Sequence, residues 1–547
     1  MLLERIDMLA GRALDGATAQ GVALGIATPD GERLIRTAGY ANRDAQLPVT
    51  EETLFEIGSI SKSALAIVCM QLAAEGRLDL HAPVTEYLPW FLVQSEFAPI
   101  TTHHLLAHTS GLPGGHTHRP HALHEVWELR NVRLIFPPGA VWDYSNVGYD
   151  AVGLLVEAIT GQTFAQLMTE RVLAPLGLTS SYASVTSAIR PRLAVGYTAQ
   201  FDDRPMLPWH GVAPATWLET AVGSGSIVMN VSDLLAYAEF LKRTWTGEDS
   251  PVLTSAQLRE MVRPPRIEQP AADETHGYGY GIGWELDPQQ PGTIRALAHS
   301  GGMVGYTTDL IVDLDRDLCV VWLANGSIAD RALTTAVRET AGLRNGEPFP
   351  ELVAVTDRFA FTDGADYAGV WRSRERSIEL VAEGTTLALV AGDERIPLQW
   401  PPGRGTAFLL ADHPEWWRFP LEVVRDGDEP DTPGPVIKLH HGGETFHRQN
   451  TELPEPPAHP EEWDRFAGLY RSYNPWGGAI WIVIREGTLM LLYASGSATP
   501  LVPEGDGFRV GESAPNADFL TFEGIAGEQA VFLRFETGAE YSRFFPE

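Results

Sequence analysis

Strand-like patterns lie at the two ends of roughly the first 340 residues, and helix-like patterns lie between them. Residues 21–42, GVALGIATPDGERLIRTAGYAN, alternate around a Pro-Asp-Gly turn, which predicts a β-hairpin. Strand patterns return at residues 277–286, 294–302 and 308–325. Early and late strands separated by helices favour an α+β domain whose sheet joins both ends of this segment.

Helical spacing of apolar residues predicts the helices of the middle part, at residues 59–75, 149–160, 164–172 and 232–242. The whole chain has 547 residues, which is too long for a single hydrophobic core. We therefore expect about three domains.

A repeated module follows the first domain. YAGVWRS at Tyr367–Ser373 recurs as FAGLYRS at Phe466–Ser472, and each copy precedes a strand pattern with a turn, EGTTLAL or EGTLMLL. The copies follow the linker-like segments NGEPFPEL and NTELPEPPAHPEEW, which are rich in Pro and Glu. Unless these short matches are coincidental, they predict two related antiparallel barrels or sandwiches. The predicted domains are residues 1–345, 350–452 and 460–547.

The charge of the chain excludes two classes of partner. The chain has 40 basic and 71 acidic residues, for a formal net charge of −31, and such a surface repels phosphate backbones and anionic lipid headgroups. We expect neither nucleic acid nor membrane as a partner. The first residues, MLLERIDMLAGRALDGATAQG, lack the apolar run of a signal peptide, so a cytoplasmic location is expected.

Cysteine and histidine spacing predicts no metal or other cofactor. Cys69 and Cys319 both lie in apolar runs, which favours buried thiols over a disulfide or a catalytic cysteine. Seven histidines lie between His103 and His124, but without H-E-x-x-H or a similar ligand spacing. A loop that lines the substrate is the favoured interpretation of this cluster, and a structural role is favoured for His108.

A candidate nucleophile lies at the start of a helix predicted to be buried, in FEIGSISKSALAIVCMQLAAEG at residues 55–76. Because a helix turns once in 3.6 residues, Ser59 and Lys62 project from the same side of its first turn. Lys62 is the nearest base for the Ser59 hydroxyl, provided that its pKa falls from about 10.4. On this motif alone, Ser59 as a simple N-cap and Lys62 as a solvated residue remain an alternative.

Two further motifs supply polar groups. YSN at residues 144–146 lies just before a helix, and an extended segment would present the phenol and the amide on the same side. HSGG at residues 299–302 ends a strand pattern, where glycine lets backbone N–H groups approach a substrate carbonyl.

The three motifs SISK at 59–62, YSN at 144–146 and HSG at 299–301, in this order, resemble those of the penicillin-binding protein and class C β-lactamase superfamily. The resemblance covers about residues 5–340. Within the superfamily the chain is most similar to D-aminopeptidase-like serine peptidases, in which histidine also replaces the third-motif lysine. The resemblance implies an antiparallel sheet flanked by helices, followed by two small all-β, lipocalin-like barrels.

The resemblance also implies roles for individual residues. Ser59 is the acyl-forming nucleophile, and Lys62 helps to take its proton. Tyr144, as a phenolate held by Lys62, is the base in acylation. Asn146 orients the Lys62 amine and the substrate, and His299 lies beside Tyr144. The remaining implied roles are an oxyanion hole from the backbone N–H groups of Ser59 and Gly302 and a substrate lining from Ser300 and Gly301.

Three functions are compatible with these residues. The first is a peptidase or amidase, such as a D-aminopeptidase, acting on a small molecule or short peptide. The second is a carboxylesterase, and the third is a non-catalytic binding protein, which the intact motifs disfavour. A β-lactamase or D,D-peptidase is less expected, because the third-motif lysine and an export signal are missing from the sequence. The C-terminal barrels are expected to shape access to the site. The sequence leaves open whether copies of the chain form a homo-oligomer.

Overall fold

The computed structural model describes residues 2–15, 18–115, 121–134, 136–207, 209–263, 276–287, 289–290, 292–328, 332–342, 359–361, 363–401, 408–427, 434–455, 457–512 and 518–545. The described α-helices are α1 (Leu2–Arg12), α2 (Ser61–Ala74), α3 (Thr102–Leu106), α4 (Ala122–Glu128), α5 (Asn146–Thr160), α6 (Phe164–Met168), α7 (Val231–Trp245), α8 (Ser255–Met261), α9 (Ala332–Ala341) and α10 (Gly364–Tyr367).

The described strands of the first domain are β1 (Gly21–Ala27), β2 (Arg33–Asn42), β3 (Leu47–Pro48), β4 (Phe55–Glu56), β5 (Tyr197–Ala199), β6 (Val212–Pro214), β7 (Val228–Met229), β8 (His276–Tyr278), β9 (Gly283–Leu286), β10 (Ile294–Met303), β11 (Tyr306–Asp313) and β12 (Leu318–Ala324). Eight of them form one antiparallel sheet in the order β3-β2-β1-β12-β11-β10-β9-β8. The pairing of β1 with β12 joins the early hairpin to the late strands, which confirms the predicted α+β sheet.

The neighbouring strands β1 and β12 are buried on both faces. Alternate side chains of β12, such as Val320 and Trp322, pack with α1 and α9 on one side of the sheet. Their neighbours Val321 and Leu323 join the large core that contains α2, α5 and α7 on the other side. The apolar runs GVALGIA and LCVVWLA therefore lack the alternation of a half-exposed strand, because both faces are covered by helices.

The predicted helices are present, with shifted ends. Gly58–Ile60 form a 3₁₀ turn, and α2 begins only at Ser61. The N-cap of α2 is Ile60, which makes no side-chain capping bond, so Ser59 is not the N-cap. α5 begins at Asn146, where Ser145 is a true N-cap that accepts from Gly148 N, and α6 continues into a π-helical turn at Thr169–Leu173.

No single described helix is long and apolar enough to cross a membrane. One pair of helical segments reaches the length and apolar composition of a membrane span only when both are counted together: Asn146–Thr160 and Phe164–Leu173. The chain bends by 83° between these two segments.

Two closed eight-stranded barrels follow. The first comprises β13 (Gly369–Arg372), β14 (Ser377–Glu383), β15 (Thr386–Ala391), β16 (Glu394–Gln399), β17 (Phe408–Ala411), β18 (Leu421–Arg425), β19 (Val436–His441) and β20 (Glu444–Arg448). The second comprises β21 (Gly468–Arg471), β22 (Ala479–Arg485), β23 (Thr488–Tyr493), β24 (Ala498–Glu504), β25 (Gly507–Val510), β26 (Phe519–Ala526), β27 (Gln529–Phe535) and β28 (Glu540–Arg543). These are the two predicted barrels. The first predicted linker, NGEPFPEL, lies outside the described residues.

The repeated motif has the same structural role in both barrels. Trp371 Nε1 donates to the carbonyl of Tyr367, and Tyr470 Oη donates to the carbonyl of Phe466, four residues earlier in each case. Trp371 and Tyr470 are fully buried in their barrel cores, which supports core packing as their role. An arginine from the last strand lies against each ring: Arg448 in the first barrel and Arg543 in the second.

The barrels contact the first domain and each other. Arg471 of the second barrel forms an ion pair with Asp203 (3.0 Å), and Trp481 Nε1 donates to the Asp203 carbonyl (3.2 Å). Between the barrels, Arg485 donates to Glu422 at 2.6 Å. Trp481 therefore lies at a domain contact rather than in a barrel core.

Candidate active site

Two glycines bring the 3₁₀ turn of Ser59 against strand β10. Gly58 has a φ of +53°, and a Cβ on it would lie 2.7 Å from Gly302 N. A Cβ on Gly301 would lie 1.9 Å from the Ile57 carbonyl oxygen. The backbones are therefore in direct contact, and any side chain at either position would push Ser59 away from Gly302.

The amine of Lys62 lies at the centre of the site. Its Nζ lies 2.9 Å from Ser59 Oγ, 2.8 Å from Asn146 Oδ1 and 2.7 Å from the Ser224 carbonyl oxygen. Asn146 Nδ2 donates to the Gly115 carbonyl, which leaves Asn146 Oδ1 to face the lysine. The structure thus brings together Ser59, Lys62 and Asn146 as the sequence predicted.

These contacts determine what a neutral Lys62 does. An ammonium group has three N–H donors and can donate to all three neighbours, whereas a neutral amine has two donors and one lone pair. The Asn146 oxygen and the Ser224 carbonyl can only accept, so they take both donors. The lone pair is then left for Ser59, and the serine hydroxyl must donate to the amine.

Burial makes the neutral form accessible. Lys62 has no exposed surface, and desolvation lowers its pKa to about 7, with the Asp150 carboxyl acting in the opposite direction. Its Nζ lies 5.0 Å from the ring centre of Tyr144 and 5.6 Å from that of Tyr149. These rings contribute to the desolvated surroundings of the amine. Near pH 7, a large fraction of Lys62 is therefore a base poised to deprotonate Ser59.

Burial disfavours the phenolate form of Tyr144 that the family resemblance implies. Burial raises its pKa well above the usual value near 10, and the nearby Ser59 hydroxyl offsets this only in part. The Tyr144 hydroxyl oxygen is buried, and the Ser59 hydroxyl is the hydrogen-bonding group near it. The electrostatics favour Lys62 as the base and leave Tyr144 as a hydrogen-bond donor for the substrate.

His108 positions the Tyr144 segment. Its ring stacks on Tyr144 with a centroid distance of 4.2 Å, and its Nδ1 accepts from Ser145 N at 3.0 Å. Burial, together with the nearby Lys62, lowers the His108 pKa well below its usual value. The structural role predicted for His108 agrees with these contacts.

Other histidines of the cluster serve the fold. His104 forms a capping box with Thr101, and His103 Nδ1 contacts Tyr280 Oη at 2.5 Å. Residues 116–120 of the cluster lie outside the described part of the chain, so the predicted substrate-lining loop stays a prediction. Within the described residues, no group of His, Cys, Asp and Glu is arranged to hold a metal ion.

His299 is neutral and presents an acceptor. Its Nδ1 lies 2.6 Å from the Ser300 carbonyl oxygen, so Nδ1 carries the proton and Nε2 carries a lone pair. Burial and the nearby Lys62 lower the His299 pKa to about 3. The buried Nε2 has no hydrogen-bond partner among the described residues. This side chain therefore suits a substrate N–H or O–H and offers no positive charge to a carboxylate.

A small pocket of about 50 Å³ opens in front of Ser59. Ser59 and Gly302 both line it, which supports their assignment to an oxyanion hole. Ser300 and Gly301, which the resemblance placed along the substrate, are not among its lining residues, and Gly301 packs under Ile57 instead. Met303, the next residue of β10 after Gly302, completes this wall.

The second barrel also reaches this pocket. Trp476, in the loop between β21 and β22, lines it together with Ser59 and Asn146. Aromatic residues of a small barrel usually pack in its core, but Trp476 does not, because the loop carries it out of the barrel. Its position agrees with the prediction that the barrels shape access to the site.

Replacing Trp476 by alanine is expected to widen substrate acceptance. We expect the ratio of kcat/KM for a bulky ester, p-nitrophenyl pivalate, to that for p-nitrophenyl acetate to rise about tenfold, because a wall of the pocket is removed. Tyr473→Ala is the matched control, since Tyr473 lies in the same loop and is 93 % exposed. An unchanged ratio in a folded Trp476→Ala protein would contradict the gating role.

Asp150 is a positioning residue that the sequence analysis did not identify. It lies one turn after Asn146 on α5, is 1 % exposed, and accepts from Ser224 N at 2.9 Å. The Ser224 carbonyl in turn accepts from Lys62. Asp150 therefore fixes one of the three Lys62 partners, and its charge raises the Lys62 pKa against the effect of burial.

The Asp150→Asn variant is expected to shift the acid limb of the kcat/KM profile to lower pH. Removing the negative charge removes the influence that raises the Lys62 pKa, so Lys62 loses its proton at lower pH. The measurement is kcat/KM for p-nitrophenyl acetate from pH 5 to 9. Asp233→Asn is the control, because Asp233 accepts from Ser180 N and Ser181 Oγ, outside the contacts of Lys62. A shift to higher pH, or none, would remove Asp150 from this role.

Comparisons with known proteins agree with this geometry. Residues 9–342 match the family model described as Beta-lactamase. The chain is 30 % identical to esterase EstB of Burkholderia gladioli over 393 residues, which cover 63 % of this chain and 96 % of the esterase. It is 27 % identical to penicillin-binding protein 4 of Amycolatopsis lactamdurans, covering 62 % of this chain and 90 % of that protein.

A solved structure extends the likeness beyond the first domain. The octameric penicillin-binding protein homologue from Pyrococcus abyssi superposes with a TM-score of 0.55 at 21 % sequence identity, and the match covers 82 % of this chain and all of that chain. At this identity the likeness concerns the fold. The family model, with relatives that include an esterase and a penicillin-binding protein, assigns the activity class: this chain belongs to the beta-lactamase family and is a serine hydrolase.

Proposed function

We propose that the protein hydrolyses uncharged carboxylic esters through a covalent Ser59 acyl-enzyme. The observation that carries this proposal is the environment of Lys62, whose neutral amine has only Ser59 left as a partner for its lone pair. The neutral His299 supports an uncharged substrate. The 30 % identity to an esterase over 96 % of its length supports the ester bond.

The proposed reaction has two halves. Lys62 takes the Ser59 proton while Oγ attacks the ester carbonyl, and the backbone N–H groups of Ser59 and Gly302 stabilise the oxyanion. The bond to the leaving alcohol breaks, and the Lys62 ammonium returns the proton to that alcohol. Water then attacks the acyl carbon and gives a proton to Lys62, which passes it to Ser59 as the carboxylic acid leaves.

A substrate panel tests this function. We expect kcat/KM for p-nitrophenyl acetate to exceed that for acetyl p-nitroanilide by at least about 10²-fold, because an amide must lose a much poorer leaving group. Inactivity on all esters, with no covalent labelling of Ser59, would contradict the proposal.

An amidase or aminopeptidase is the second candidate. The observation in its favour is the buried, unpartnered Nε2 of His299, which can accept from a substrate N–H. Turnover of D- or L-aminoacyl amides at rates comparable with ester turnover would place this candidate first. The panel therefore includes both enantiomers of alanine amide.

The His299→Lys variant is expected to increase preference for anionic substrates. In the wild-type enzyme His299 is neutral at any pH above about 4, because its pKa is about 3. A lysine at this position would carry a positive charge and attract a carboxylate. We expect kcat/KM for a substrate with a carboxylate beside the scissile bond, relative to its methyl ester, to rise about tenfold. His299→Gln keeps the site neutral and is the control. A wild-type enzyme that already prefers the carboxylate would contradict this assignment.

The cytoplasmic location predicted from the sequence remains a proposal. The sequence leaves the oligomeric state open, and we propose that the chain assembles into a homo-oligomer. The penicillin-binding protein homologue described as octameric is one reason to measure the mass of this protein by light scattering.

A further inference from the structure

A cavity of about 380 Å³ lies where the first domain and both barrels meet. The first domain contributes Tyr197, Met206 and Met303, the first barrel contributes Leu410, and the second barrel contributes Ser495. We refer to it as the junction cavity. Its volume lies within the range of small-molecule sites.

The described part of the junction-cavity wall carries no charged side chain. The described residues that line it include no Asp, Glu, Lys or Arg, although the chain has 111 such residues in total. Its apolar side chains include Met206, Ile328, Phe408 and Leu410, and its polar groups are hydroxyls and backbone amides. Such a wall suits an uncharged, largely apolar ligand and would leave an ion without a counter-charge.

Met303 belongs to the walls of both the junction cavity and the catalytic pocket. The residue is half-buried. It is also the residue that follows Gly302 on β10, so the chain passes from the oxyanion hole to the junction cavity within one residue. An unbranched methionine can change rotamer and open a passage without backbone movement.

The catalytic pocket gives little room beyond the reacting group. Its volume of about 50 Å³ is space for a few water-sized groups, since about 10–15 Å³ is enough for one. The remainder of any larger substrate must occupy an adjoining space. The junction cavity adjoins it and is several times larger.

The direction of β10 indicates which part of the substrate enters the cavity. His299, within the strand, lies beside Tyr278 and close enough to Lys62 to be affected by its charge. Met303, the last residue of the strand, lies about 13 Å further along it. The leaving alcohol takes its proton from Lys62 and has the polar groups of the site beside it, whereas the space beyond Met303 is largely apolar and suits an acyl chain.

We propose that the junction cavity binds the apolar acyl group of the substrate, which enters past Met303 from the catalytic pocket. This inference rests on the proposed ester hydrolysis and specifies its substrate class: esters of uncharged, medium-length apolar carboxylic acids. The two barrels thereby contribute directly to acyl selectivity, since Leu410 and Ser495 belong to the cavity wall.

The test compares p-nitrophenyl octanoate with p-nitrophenyl acetate in wild type and in two variants that fill the cavity. Ser495→Trp adds bulk from the second barrel, and Ala199→Trp adds it from the first domain. Ser497→Trp is the matched control, because Ser497 is an exposed residue of the same turn and does not line the cavity. Thermal unfolding identifies any variant that fails to fold, in which case the other one decides.

We expect the octanoate-to-acetate ratio of kcat/KM to fall at least tenfold in both filling variants and to change less than twofold in Ser497→Trp. If the folded filling variants show an unchanged ratio, the junction cavity does not bind the acyl group. The proposed ester hydrolysis would still stand, because the wild-type enzyme would still turn over esters. A selective loss on octyl acetate, with the octanoate ester unaffected, would also overturn it, because the alcohol and not the acyl group would then occupy the cavity. Failure of the proposed function is distinct: no ester would be turned over and Ser59 would not be labelled.

Discussion

The Ser59→Ala variant is expected to lose ester turnover by at least about 10⁴-fold and to keep its fold. The acyl-enzyme cannot form without Oγ, and removing a nucleophile of this kind has effects of this order or larger. The stability cost is small, because Ser59 is half-buried and Ser59 Oγ makes its hydrogen bond with Lys62 rather than capping α2. The measurements are kcat/KM for p-nitrophenyl acetate and the midpoint of thermal unfolding.

Ser63→Ala is the matched control for this variant. Ser63 lies four residues after Ser59, in the first turn of α2. Its Oγ donates to the Ile60 carbonyl and contacts Tyr237 Oη at 2.8 Å. Its loss leaves a buried phenol without a partner, which costs about 1–3 kcal/mol of folding free energy. We expect Ser63→Ala to lose stability and keep activity, the reverse of Ser59→Ala. If Ser59→Ala retained more than a few per cent of wild-type turnover, Ser59 would not be the nucleophile.

We expect kcat/KM to fall at low pH as Lys62 becomes protonated, with an apparent pKa near 7. The lysine pKa is lowered from its ordinary value to about 7, and the reactive form is the deprotonated amine. Activity should therefore fall about tenfold for each pH unit below 7 and reach a plateau above about pH 8. No limb from His299 is expected near pH 6.5, because its pKa is about 3.

Two substitutions separate a base from a mere positive charge at Lys62. Lys62→Met removes both functions, whereas Lys62→Arg keeps a charge that is not lost at any working pH. We expect both variants to lose at least about 10²-fold in kcat, the usual scale for a general base. Lys242→Met, at a lysine that pairs with Asp317, serves as the control. Substantial activity in Lys62→Arg would show that the charge alone is sufficient.

The fold could be predicted because its signals are local and repeated. The 3.6-residue and two-residue periodicities mark the helices and strands, and the order of these elements requires a sheet built from both ends of the first domain. The exact start of α2 was missed, because the positive φ of Gly58 and the 3₁₀ turn are set by contact with β10. That contact joins segments more than 240 residues apart.

The site was predictable where its motifs are local. Ser59 and Lys62 lie one turn apart, so their spacing alone indicates that they meet. Asp150 acts through the backbone of Ser224, and no sequence spacing reveals a contact made through a distant carbonyl. The one feature of the sequence that pointed to Asp150 is its position four residues after Asn146, which places both residues on the same side of α5.

Trp476 could not be assigned from sequence for a different reason. Aromatic residues of a small barrel are most often core residues, and Trp371 and Tyr470 follow that rule. The placement of Trp476 depends on how the second barrel docks on the first domain, through contacts such as Arg471 with Asp203. Contacts between two domain surfaces depend on residues that are far apart in the sequence, so they produce no periodic pattern from which the docking could be predicted.

The central claim is that Ser59 is the nucleophile and that the neutral amine of Lys62 activates it. The most direct measurement is the rate of covalent labelling by a fluorophosphonate from pH 5 to 9, with the labelled peptide identified by mass spectrometry. We expect one adduct, on Ser59, whose formation rate rises with an apparent pKa near 7 and is lost in Lys62→Met. An adduct on another residue, or a labelling rate independent of pH and of Lys62, would contradict this account.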